Sequence, residues 1–218
     1  YRAAETAGVQ PIAGCDLRLI AAREHERPTR ATVLCRNADG YRNLCRLLTR
    51  AWLDAPRVDD LPAIPPDWLK EHGADLILLL GSSSDIAASL AAGRETEAEQ
   101  LLTRWQQTFD DRLYIEISRC GRSTESTYEP GALWLAQKTG LPVLATNDVR
   151  FLDRDDFDAH EARVCIATGR VLGDPRRPRE YSAEQYLKSA DEMVALFDDL
   201  PEAIDNAVEL ARRCTLEL

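Results

Sequence analysis

Asp158-Ala159-His160 sets a carboxylate and an imidazole two positions apart, and it uses one of only three histidines in the 218-residue chain. In an extended segment the two side chains would project together, as a two-ligand metal unit requires. The plainer alternative is a solvated Asp158 beside a partly buried His160. Asp16, just past Gly14, is a further carboxylate, and Cys120 is a soft ligand, a reactive thiol or, lacking a recognisable partner nearby in sequence, a buried or semi-buried inert thiol. Gly81-Ser82-Ser83-Ser84 follows an apolar run and suits either an anion at a helix N-terminus or simple capping. No G-x-x-x-x-G-K-[ST] loop is present, and His25 and His72 read as ordinary surface residues.

These residues need elements to position them. Leu141–Ala145 is a short apolar run that reads as a buried strand, and it delivers Thr146, Asn147 and Asp148 to the functional end of a parallel sheet. Strands are also expected over Gln10–Ile20 (interrupted at Gly14), Ala31–Cys35, Leu76–Leu80 and Arg112–Ser118, the last with Glu116 inside it. Asn37 caps a helix whose spacing puts Tyr41, Leu44, Cys45, Leu48 and Trp52 on one side. A second long helix carries Ala98, Leu101, Leu102, Trp105 and Phe109 on one face, and a third starts at Ser123 or Thr124 and stops at Gly140. Residues 2–8 end a helix at Gly8. The stretch 23–30 is a charged loop, and four prolines make 54–67 a surface loop. From 183 the chain reads as helical, with Pro201 in a first turn and Ile204, Ala207, Val208 and Ala211 on one face. Strand and helix alternate as in an α/β fold, and the pattern leaves open sheet and closed barrel equally possible.

Composition narrows the classes. Apolar residues at 44% supply a core, while no run approaches the ~20 residues of a membrane span, and no secretory leader opens the chain. Six scattered cysteines without a C-x-x-C suggest reduced thiols in a cytoplasmic protein. A formal charge of −10 argues against broad nucleic-acid affinity for this segment, because backbone binding needs Lys and Arg to displace counterions.

The run ATNDVRFLDRDDFDAHEARVCIATG resembles the end of a PHP (polymerase and histidinol phosphatase) domain, specifically the one in the alpha subunit of bacterial replicative DNA polymerase III. PIAGCDLRL (11–19), DRLYIEISRCGR (111–122) and DPRRPREYSAEQYLKSADEM (174–193) do so too, in order, over essentially the whole chain. The resemblance implies a distorted (β/α)7 barrel with metal ligands at the C-terminal ends of its strands. It also implies that this chain starts downstream of the first strands, leaving an N-terminally incomplete barrel over 1–182 and a helical segment over 183–218 that leads toward a polymerase core.

Intact PHP sites hold up to three metal ions, zinc or manganese among them, and hydrolyse phosphate esters. This chain lacks the opening H-x-H and T-D-H-like segments. It has Asp16 in place of a glutamate, and Arg30, Cys120 and Arg150 where intact members carry histidines; Asp158 and His160 remain as written. A guanidinium cannot ligate a metal and brings positive charge where cations would sit. Arg30 is therefore expected to pair with Asp16, and Arg150 with Asp158, leaving Asp16, Asp158 and His160 as metal-free remnants.

The resemblance implies a non-catalytic scaffold that packs on the polymerase core and docks the proofreading exonuclease subunit. Contacts with other replicase subunits, the sliding clamp and DNA would run through the parent protein, whose polymerase core uses Mg2+. Neither a catalytic residue nor a cofactor is expected in this segment. An active metal-dependent phosphoesterase or 3′–5′ exonuclease is the alternative. A free-standing histidinol-phosphate phosphatase needs the same missing histidines and leaves the 174–193 segment unexplained.

Overall fold

A computed structural model describes residues 1–21, 23 and 26–218; His25 lies outside the described residues. The chain opens with α1 (Arg2–Thr6), ending before Gly8, whose φ of +72° is the left-handed conformation that glycine adopts without strain. β1 (Gly14–Leu19) and β2 (Thr29–Cys35) then pair antiparallel, with Gly14 opposite Leu34 and Leu19 opposite Thr29.

α2 (Ala38–Asp54) is capped by Asn37, whose side chain accepts hydrogen bonds from the Asp39 and Gly40 amides. Its buried face is Gly40, Leu44, Leu47 and Ala51, one residue round the helix from the expected Tyr41–Trp52 stripe. The cause is a close approach: a Cβ on residue 40 would stand 2.1 Å from the Asp75 carbonyl oxygen, so the helix turns its glycine inward. Within the proline-rich stretch, β3 (Arg57–Val58) and β4 (Leu61–Pro62) form a small ribbon.

α3 (Asp67–His72) and β5 (Leu76–Leu80) follow, then α4 (Asp85–Ala91), capped by Ser84, and α5 (Glu95–Phe109). β6 (Leu113–Ser118), α6 (Ser123–Thr139) and β7 (Val143–Thr146) make the expected βαβ unit. α7 (Phe157–Thr168), α8 (Ala190–Leu196) and α9 (Pro201–Arg213) complete the chain.

The central sheet has the order β1-β2-β5-β6-β7. β1, β2 and β5 alternate antiparallel, whereas β5, β6 and β7 are parallel. The α/β class of the PHP fold is therefore present. Among the described residues the sheet is open, with β1 and β7 at its edges, and does not close into a seven-stranded barrel.

Successive side chains of a strand point to opposite faces, so the sheet sorts its residues into two layers. One face, with Leu17, Val33, Leu78, Leu80, Ile115 and Ala145, joins α2, α5 and α6 in the main core. The other carries Ile77, Leu79, Tyr114 and Leu144 against Leu210 and Cys214 at the end of the chain. β5 is buried on both faces, which is why it reads LILLL without alternation.

The segment after residue 182 departs from expectation. Residues 182–189 are a strap, with a turn at 183–184, rather than helix, because their backbone bonds to the loop after β7: Arg150 N–H donates to the Gln185 carbonyl (2.8 Å), and Leu187 N–H to that of Phe151 (3.1 Å). On α9 the buried residues are Ala203 and Leu210, while Val208 is exposed. Phe197, Leu200, Ala203 and Leu216 belong to the main core. No helix among the described residues is long and apolar enough to cross a membrane.

Candidate functional site

The C-terminal ends of β5, β6 and β7 lie side by side, and each passes into a polar loop. On the sheet face away from the main core these loops meet the first strand pair around a cavity of about 450 Å³. Asp16, Arg30, Thr32, Glu116, Arg122 and Asp148 supply its polar lining, and Leu34, Leu79, Leu144 and Leu210 its apolar end.

Asp16 and Arg30 pair diagonally across the β1–β2 ladder, and Thr32, directly opposite Asp16, adds a 2.7 Å hydrogen bond from its hydroxyl. Partial burial pushes the Asp16 carboxyl upward, but the bonds from Thr32 and Arg30 outweigh it and hold the group below the ordinary carboxylate range. Arg30 stays charged: burial opposes ionisation, and its bond to Asp16 more than offsets that.

Asp148 is the hub of the opposite wall. Its Oδ2 accepts from Arg122 (2.7 Å) and from the Gln185 amide (3.0 Å), and its Oδ1 from Arg150 (2.6 Å). The residue has φ +41°, an uncommon setting for a non-glycine that aspartate tolerates better than most. Arg122 also donates to Glu125 (2.7 Å), and Glu125 takes the Cys120 amide (2.8 Å), so one buried carboxylate ties down the loop after β6.

Glu116 lies on the floor. Its Oε1 accepts from the Thr146 hydroxyl at 2.9 Å, and Oε2 rests where a Cβ on Gly81 would come within 2.5 Å. Burial raises its pKa, the neighbouring Asp148 and Asp16 add to the rise, and the Thr146 bond and the Arg30 charge only partly oppose it.

The Asp158–His160 unit does not form a two-ligand arm. Both residues sit in α7, where positions two apart point to different sides of the helix, and the extended segment that such an arm needs is absent. Asp158 is exposed, whereas His160 is only 6% exposed. The His160 ring packs edge-on against Tyr181 (centroids 4.6 Å) and near Phe151 (5.4 Å). Burial lowers its pKa, and Arg163, whose guanidinium is 3.2 Å from Nδ1, lowers it further; Nε2 is buried with no hydrogen-bond partner among the described residues. Arg150 pairs with Asp148 and not with the expected Asp158.

Cys120 is fully buried, its thiol 3.1 Å from the Asn147 carbonyl. Burial, followed by the Glu125 carboxylate, pushes its pKa up to about 12, which makes it a poor nucleophile and a poor ligand.

Asp16, Asp158 and His160 therefore do not converge, and among the described residues no group of three or more His, Cys, Asp or Glu is placed to hold a metal. Of the carboxylates that face the cavity, Asp16 and Asp148 are occupied by guanidinium groups, and Glu116 is bound by the Thr146 hydroxyl with its pKa raised by burial. This donor set does not fit a cluster of divalent cations. Sequence reasoning missed Glu116, Arg122, Glu125 and Gln185. A lone charge inside an apolar alternating strand was the available signal for Glu116; Gln185 had none, since its role depends on the strap.

Comparison with known proteins agrees with this architecture. The PHP domain family profile matches residues 1–120. The chain is 50% identical over 218 residues to the DNA polymerase III subunit alpha of Xylella fastidiosa (strain Temecula1), covering 100% of the chain and 18% of that protein. It is 46% identical over 220 residues to the same-named protein of Pseudomonas aeruginosa (100% of the chain, 19% of the relative). With that of Escherichia coli (strain K12) it shares 43% over 217 residues (99% and 19%). The chain thus spans about a fifth of the length of the curated relatives it matches. With its family profile matched over more than half its length and its strand ends arranged as described, the chain belongs to the PHP domain family.

Proposed function

We propose that the chain is the PHP domain of a replicative DNA polymerase III alpha subunit, acting as a non-catalytic scaffold. In this reading it packs on the polymerase core of the same polypeptide through its C-terminal segment and docks the proofreading exonuclease subunit. The parent protein carries out DNA-templated DNA synthesis in the cytoplasm with Mg2+ in its own core, and meets DNA, the sliding clamp and other replicase subunits there.

The observation that carries the scaffold reading is the arginine network. Arg30, Arg122 and Arg150 neutralise Asp16 and Asp148, and fixed internal cations of this kind do the electrostatic work of bound metals without offering an activated water. A hydrolase would need open coordination positions in the same place.

The test is metal content. The polypeptide carrying this chain, dialysed against low zinc and manganese, is expected to hold well under about one equivalent of either. On the order of two or three equivalents, with a phosphoesterase activity lost in Asp16→Ala, would overturn the scaffold reading and favour the metal-dependent phosphoesterase or exonuclease.

A further inference from the structure

We draw no further inference here: the strongest candidate, the cavity of about 470 Å³ beside the ends of β6 and β7 with Arg30, Arg122, Arg150 and Arg179 on its wall, shares Arg30, Arg122 and Asp148 with the site already described, and the phosphate-like anion that its charges select restates the substrate class of the PHP family.

Discussion

Burial makes the ionised form of Glu116 costly in this fold. Its pKa is raised, so the sign of its pH effect is opposite to that of a salt-bridged carboxylate. Its contribution to stability is fully present below the unfolded value, near pH 4, and is lost as pH rises through the higher folded value. Glu116→Gln, isosteric and uncharged, is therefore expected to stabilise the protein by about 1 kcal/mol at pH 8 and to change little near pH 4. Chemical denaturation at the two pH values measures this. A loss of stability at pH 8 would mean that ionised Glu116 is a useful partner of Arg30. Asp16 behaves in the opposite sense: its depressed pKa adds stability above the unfolded value and loses it as pH falls through the folded one. Because Asp16 and Arg30 are both more than a third exposed, solvent screening keeps this term small.

At the scale of elements, the Glu161–Arg177 pair joins α7 to the loop that follows it, and both side chains are more than nine-tenths buried. Removing one charge strands the other in a low-dielectric setting. Glu161→Ala is expected to cost about 3 kcal/mol, whereas replacing the pair with Glu161→Leu and Arg177→Met should cost far less. Urea midpoints of the single and double variants test this, and equal losses would show that packing and not charge holds the loop. The strap over 182–189 works differently. The Asn147 side-chain amide donates to the carbonyls of Glu184 (3.0 Å) and Tyr186 (2.7 Å), and Gln185 reads Asp148. The loop after β7 thus supplies hydrogen bonds that a helix would have made internally, which explains why this segment is not helical.

For the whole molecule, the turn after α8 and the helix α9 are part of the core. Phe197 is fully buried beside Arg119, whose guanidinium lies 4.7 Å from the ring centroid and also bonds to Asp199. Phe197→Ala is expected to cost about 3–5 kcal/mol and to lower the midpoint of a single unfolding transition. A separate early transition would show instead that the C-terminal helices unfold on their own. The strands, the Asn37 cap, the Gly140 stop and the βαβ unit were legible in the sequence, because each rests on local signals: burial period, capping chemistry and the left-handed tolerance of glycine. That Arg30 would pair with Asp16 was legible too, since a guanidinium beside a carboxylate is its natural partner. What the sequence could not contain was partner choice. That Arg150 answers Asp148 and not Asp158, that α2 turns Gly40 inward, and that Gln185 closes the site all depend on contacts between segments far apart in the chain. Such contacts follow from which backbones approach each other, and only the tertiary structure decides that.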